Sequence, residues 1–292
     1  MSTPSTARQP SERKPGGPRR RDRIAKTVLH LVLGAGLVVM AGPFLWMLLS
    51  SVKSEAEILE VPATWWPRNV TWDNFVRLFD KMDFPTYFTN SALVALLVTV
   101  GNLVLCSAAG YALSKLRFPG RGTLFGLVVG TVMVPGMVTF VPLFVLVSRL
   151  EMTNTYAGLV VPFLAGAFGV FFMRQFIFSI PDELIESARI DGAGELRIFT
   201  RIVLPLCRPA LATLGILTFL GSWNNFLWPL VVATTEDKYT LPVALALYSV
   251  GQNDTDYGLL LAGSVVVVLP VLIVFAILQR HFVRGIATTG LK

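Results

Sequence analysis

Six stretches of about twenty or more mostly apolar residues constrain this chain more than anything else in it. They run over roughly 27–52, 87–116, 124–147, 156–178, 210–233 and 257–278. In hydrocarbon an unpaired backbone N–H or C=O has no water to turn to, so a segment of about 20 apolar residues crosses as a helix that satisfies its own backbone. The runs are continuous rather than alternating, which excludes an outer-membrane barrel. With only 15% charged residues and a mean hydropathy of +0.63, a soluble domain is excluded as well. The expectation is an all-α polytopic membrane protein, with six transmembrane helices over 27–292 preceded by a separate tail over 1–26.

Charge sets the orientation. The tail holds Arg8, Arg13, Lys14, Arg19, Arg20, Arg21, Arg23 and Lys26 among prolines and serines, a composition that predicts disorder. Because it directly precedes an apolar run, the preference of basic loops for the cytoplasm explains it better than nucleic-acid binding does. The first run is long enough to span and so reads as a retained helix rather than a cleaved signal. Six spans from a cytoplasmic start place 19 of the 25 Lys and Arg inside and 11 of the 18 Asp and Glu outside. Adding or removing one helix would invert half the loops. The reading is therefore a multi-pass protein of the cell membrane, with both termini cytoplasmic. Cys106 and Cys207 fall at different depths, so no disulfide is expected. His30 and His281 stand apart from any carboxylate or thiol cluster, so no metal site is expected either.

The segment between the fourth and fifth runs, "SIPDELIESARIDGAGELRIFTRIVLPLCRP", is too patterned to be a loose loop. Ser179 and Asp182 suggest a helix cap, with Pro181 suited to the first turn and Asp182 and Glu183 to the positive end of the helix dipole. Gly192 and Gly194 supply freedom for a sharp bend. Leu196, Phe199 and Val203 then put an apolar stripe on a second short helix, which Pro205 and Pro209 end. Such a pair of helices exposes Leu184, Ala188, Leu196 and Phe199 to the cytoplasm. Either their own bundle or a separate protein could cover them.

"ESARIDGAGELRIFTRIVLP" resembles the EAA loop of ATP-binding-cassette (ABC) importer permeases, matching it at Glu186, Ala188, Asp191, Gly192, Ala193, Phe199, Ile202, Leu204 and Pro205, with Ser187 where alanine is usual. The resemblance implies that Glu186, Ser187, Ala188, Asp191, Gly192, Ala193, Leu196 and Phe199 couple the spans to a separate ABC ATPase dimer. "GSWNNFLWPLVV", "YTLPVAL" and the C-terminal segment are similar to the smaller permease subunit of carbohydrate importers, the group that includes maltose and glycerol-3-phosphate systems. That likeness implies a second permease subunit and an extracytoplasmic solute-binding protein, the latter received by the external segments 53–85 and 234–256. It also implies no cofactor in this chain, with ATP and Mg on the partner. No Gly-x-x-x-x-Gly-Lys-[Ser/Thr] loop is present, so nothing here would cradle a nucleotide phosphate.

Polar residues in a span are costly, and they face either a neighbouring helix or a watery path. Trp223, Asn224, Asn225 and Asn102 are the candidates for a translocation path, although interhelical hydrogen bonding explains them too. Gly126, Gly130, Pro135, Gly136 and Pro142 break the third run, where such breaks either line a cavity or permit close packing and most are read as packing, and Trp65, Trp66 and Trp72 are read as interfacial anchors. An ion-coupled secondary carrier would need carboxylates at mid-membrane, and none falls within the six runs. An intramembrane enzyme would need a nucleophile with its base, and no such constellation appears.

Overall fold

A computed structural model describes residues 20–250 and 255–289, with side chains over 26–250 and 255–277. The expected disorder of the basic tail falls, for residues 1–19, outside the described residues. Helix α1 (Arg20–Ser51) begins ahead of the first apolar run and is one continuous rod despite Pro43. Two short helices follow, α2 (Glu55–Ile58) and α3 (Asp73–Lys81), and then a second rod of 32 residues, α4 (Phe84–Lys115).

The third run is not one rod. It forms α5 (Arg121–Met133) and α6 (Gly136–Arg149), bent by 104°. Pro135 cannot donate a backbone hydrogen bond, and its ring holds Val134 extended at φ −79°, ψ 121°. The fourth run forms α7 (Tyr156–Val160) with a 3-10 turn over Val161–Phe163, bent by 41° into α8 (Ala167–Phe178). Beyond it come α9 (Asp182–Ile190), α10 (Glu195–Ile198), a π turn over Phe199–Val203 and α11 (Leu204–Leu206), which turns by 80° into α12 (Arg208–Trp223). The fifth run breaks after Trp223 and resumes as α13 (Leu227–Val232). A 3-10 turn over Glu236–Lys238 precedes α14 (Leu241–Ser249) and the last rod, α15 (Tyr257–Thr289). Among the described residues there is no strand, only one isolated bridge between Val250 and Thr255. Three helices, α1, α4 and α15, are individually long and apolar enough to cross a membrane.

Helix α4 is the centre, packed against α8 and α12. Lipid tails are as apolar as leucine, so helices in a bilayer associate through close packing rather than through escape from water. The α4–α8 contact shows how. A Cβ on Gly110 would lie 2.8 Å from the Arg174 backbone nitrogen, and one on Gly169 would lie 2.7 Å from the Cys106 Sγ. The glycines of the third run behave otherwise. A Cβ on Gly126, Gly130 or Gly136 would meet nothing within 4 Å, so the close packing expected of them does not occur among the described residues. Instead α5 and α6 turn Met133, Met137 and Val138 outward.

Three apolar clusters fill the interior. One joins Met173, Ile177, Ile185, Ile198, Val203 and Leu214 at the end that carries α9 and α10. A second joins Leu78, Tyr87, Trp223, Leu241 and Leu259 at the opposite end. The third, around Val98, Leu159, Trp228 and Val232, lies beside a cavity. Trp65, Trp66 and Trp72 are exposed.

Candidate coupling surface and translocation cavity

The turn between α9 and α10 is a Schellman arrangement. Ala193 N–H donates to Ala188 O at 2.9 Å and Gly192 N–H to Arg189 O at 3.0 Å, closing the carbonyls that a helix end leaves open. This geometry puts Gly192 at φ +80°, where a Cβ is strained. Gly194 does not share that role. Its φ is −70°, ordinary extended backbone, and it simply precedes α10. The expected cap at Ser179 is also absent. Its hydroxyl donates back to Phe176 O at 2.7 Å and closes α8, while Pro181 stands at the head of α9 without a side-chain cap.

Five of the eight coupling candidates face outward, namely Glu186, Ser187, Asp191, Gly192 and Leu196. Leu196 is 75% exposed whereas Val203 is fully buried, so the stripe expected of Leu196, Phe199 and Val203 does not stay on one face. The buried side is formed by Ile198 and Val203, which the intervening π turn brings to the same face. Ala188 is buried toward the bundle rather than exposed, Ala193 is half-buried, and Phe199 packs on the Tyr111 ring with centroids 5.4 Å apart. The outward apolar surface is therefore Leu184, Ile190 and Leu196, with Ile190 at 86% exposure its most prominent member.

Two polar staples tie this pair of helices to α4, and neither was singled out from the sequence. The buried Lys115 Nζ donates to Ile180 O and to Asp182 Oδ1, both at 2.6 Å, bridging the α8–α9 junction. One turn earlier on the same face of α4, the Tyr111 hydroxyl donates to Glu195 Oε2, and Arg189 Nε donates to Glu195 Oε1 at 2.7 Å. The Arg189 guanidinium, together with the Tyr111 hydroxyl, holds the Glu195 carboxyl below its ordinary value of 4.5. Lys115 holds Asp182 below 3.8 in the same way. The only signal in the sequence is the i, i+4 spacing of Tyr111 and Lys115, which does not name their partners.

The cavity lies between α4, the α7–α8 break and the α12–α13 break. It has a volume of about 300 Å³ and is lined chiefly by apolar groups with Asn102, Ser222 and Asn225 among them. Asn102 is 5% exposed. Its Nδ2 donates to Phe163 O at 3.3 Å, one of the carbonyls freed by the break, and its Oδ1 has no partner. Asn225 Oδ1 accepts the Trp228 N–H at 3.4 Å, opening α13. The other two candidates are elsewhere. Trp223 is 2% exposed, donates its indole N–H to Val267 O at 3.0 Å and stacks on Phe219, so it joins α12 to α15. Asn224 is exposed and does not line the cavity.

Residues 104–288 match the family model described as binding-protein-dependent transport system inner membrane component. The chain is 40% identical over 255 residues to the arabinooligosaccharides transport system permease protein AraQ of Halalkalibacterium halodurans, covering 86% of this chain and 90% of that one. It is 35% identical over 269 residues to the diacetylchitobiose uptake system permease protein NgcG of Streptomyces coelicolor, covering 91% and 89%. Its backbone superposes with a TM-score of 0.81 and 26% identity on a chain from the crystal structure of a bacterial ABC transporter involved in the import of the acidic polysaccharide alginate, covering 92% of this chain and 100% of that one.

Proposed function

This chain belongs to the family of binding-protein-dependent transport system inner membrane components, and on that premise we propose that it forms half of a heterodimeric pore importing an oligosaccharide or similar sugar. It is a permease subunit of an ABC importer and is not itself an enzyme; a separate ATPase subunit hydrolyses the nucleotide. The carbohydrate class is supported by relatives that handle arabinooligosaccharides and diacetylchitobiose. On this reading α5 with α6, and α7 with α8, each make one bent span, α12 with α13 makes the fifth, and α1, α4 and α15 bring the crossings to six; the charge bias then favours a cytoplasmic side for α9 and α10, beside both termini.

The observation that carries the mechanism is the shape of the coupling pair. Leu184, Ile190 and Leu196 project away from the bundle, with Glu186, Ser187 and Asp191 among them, while Ala188, Ile198 and the two staples hold the other side to α4. The outward side fits a groove on the ATPase dimer, which carries ATP and Mg. When that dimer closes, α9 and α10 are drawn together with their counterparts on the second permease subunit. Lys115 and Tyr111 pass the displacement to α4, and the cavity beside Asn102 and Asn225 exchanges access from one side to the other. An extracytoplasmic binding protein delivers the solute to the outward-open state.

The test is accessibility of a single cysteine at position 191 in the assembled transporter, read with a membrane-impermeant thiol reagent in right-side-out and inverted vesicles. Asp191→Cys should label only in inverted vesicles and, with a short bifunctional reagent, should cross-link to the ATPase. Labelling confined to right-side-out vesicles, or cross-linking that never captures an ATPase, overturns the assignment.

A further inference from the structure

Beside the coupling pair, where α5 leaves the α4 end, a small hollow of about 180 Å³ is lined by Arg117, Arg121, Phe178, Glu186 and Arg189 together with the Lys115–Asp182 staple. Two of its cations are already paired, Lys115 with Asp182 and Arg189 with Glu195. Arg121 donates only to the backbone carbonyls Leu116 O at 3.0 Å and Ser114 O at 3.5 Å. Next to it Arg174 lies over the faces of Phe125 and Phe178, at 4.3 and 4.5 Å from the ring centroids, and the two arginines repel one another. Arg174 Nη1 reaches the neutral Gln175 amide at 2.8 Å, while its Nε is closed off from solvent with no acceptor. In the hollow itself Arg117 and Arg121 face one carboxylate without a partner among the described residues, that of Glu186, and Arg174 adds a third positive charge behind Phe178. A cluster with this excess of cations lacks an anion.

The surroundings say which kind. From Arg121 along α5, Leu124 and Leu127 are exposed, and Phe178 across the hollow is 55% exposed. The cations therefore sit at the edge of a continuous apolar surface, where a molecule with a charged head and hydrocarbon tails meets both halves of its chemistry. A soluble phosphate would use only the first half.

We propose that Arg121 and Arg174, with Arg117 at the rim, bind the phosphate headgroup of an anionic phospholipid whose acyl chains lie along Leu124 and Leu127. The lipid phosphate supplies Arg121 and Arg117 with a charged acceptor and offsets the positive charge of Arg174 behind them, beside the Lys115 staple. This placement rests on the reading of the α9–α10 end as the cytoplasmic one, but the chemistry of the site does not.

The experiment is native mass spectrometry of the full-length chain in its purified transporter, delipidated and then offered phosphatidylglycerol, phosphatidylcholine or inorganic phosphate. The expected result is selective retention of phosphatidylglycerol, reduced by Arg121→Gln about fivefold, the factor that ~1 kcal/mol of attraction per basic side chain represents. Arg174→Lys, which keeps the charge but not the fork, should lie between wild type and Arg174→Gln. Arg68→Gln, at the opposite end of the bundle, should change nothing. Equal retention of phosphatidylcholine, unchanged retention in Arg121→Gln and Arg174→Gln, or displacement of the lipid by inorganic phosphate overturns the proposal. Retention that depends on these arginines, in a protein whose position 191 labels from outside, would sink the orientation and leave the site standing.

Discussion

Where α2, α3 and the start of α15 meet, polar groups are spent on one another. The Glu55 carboxylate accepts the Tyr257 and Gly258 N–H groups at 2.9 and 2.7 Å, and so closes the head of α15 from 202 and 203 residues away. Asn74, 1% exposed, donates to Ser51 O and Lys53 O and accepts from Arg77, which also pairs with Asp256 at 2.8 Å. At the α9–α10 end the staples are just as short, yet Glu186 and Asp191 face outward beside the exposed Leu184, Ile190 and Leu196. At the first end the buried polar groups are paired within the chain, although Trp65, Trp66 and Trp72 stay exposed; at the second, carboxylates as well as apolar side chains are left facing outward. A polar network closed on itself holds a bundle together, whereas an outward face that mixes apolar and charged side chains leaves a surface for a partner, as the proposed coupling requires.

The sharpest way to break this contrast is at Gly192. Proline there removes the N–H that donates to Arg189 O and cannot adopt φ +80°, a combined cost of ~3 kcal/mol or more. Gly192→Pro should reduce ATP-dependent uptake in proteoliposomes to background while the chain still inserts, and Glu186→Lys, reversing an outward charge, should do the same. Either variant transporting at the wild-type rate would remove the coupling role.

At the closed end the expected effect falls on stability rather than on coupling. Asn74→Ala strips Ser51 O, Lys53 O and Arg77 of a partner at a fully buried point, a loss of ~3 kcal/mol. We expect a fall in melting temperature on the order of 5–10 °C, with solute moved per ATP unchanged below the transition. A variant that melts normally but loses coupling would show the two ends to be reversed in role.

Lys115 sits between these cases. Lys115→Met keeps the bulk of the side chain but frees Ile180 O and Asp182, giving up a charge-assisted hydrogen bond of ~1.5 kcal/mol and about tenfold in the population of the properly docked loop. Uptake per ATP hydrolysed should drop by a comparable factor, with membrane insertion preserved. Unaltered stoichiometry would mean that α4 is driven by some other route.

What could be read from the sequence follows the range of the interactions. The α9 turn was legible because glycine and the Schellman bonds act within a few residues, and the break at Pro135 because proline announces itself. The 104° angle was not, since proline marks the place of a break and tertiary packing sets its size. Trp223 looked like a pore residue because it adjoins two asparagines, but its N–H partner, Val267, lies 44 residues away. Tyr111 and Glu195 are 84 apart, and nothing local in either segment names the other. Val203 was misplaced alongside Leu196 because the π turn between them adds one residue that no apolar period encodes.

The smallest effect tests whether the α9–α10 end is tuned by its own staple. Glu195 is depressed by Arg189 first and by the Tyr111 hydroxyl next, so its contribution is complete above 4.5 and is lost as pH falls through the lower folded value. Both ion-pair partners are more than a third exposed, and after solvent screening the pair is worth ~0.5 kcal/mol, about twofold in loop opening. Asp182 is held low by Lys115 and titrates with the same sign, so wild-type acid sensitivity alone would not separate the two. Comparison with Glu195→Gln does. Amide hydrogen exchange over α9 and α10, followed from pH ~6 down through the carboxylate range and corrected for the intrinsic rate, should accelerate more in wild type than in Glu195→Gln, and Tyr111→Phe should show an intermediate slope. Identical slopes in all three would mean that Glu195 rests against Arg189 without restraining the loop, leaving Lys115 as the single polar tether between α4 and the coupling pair.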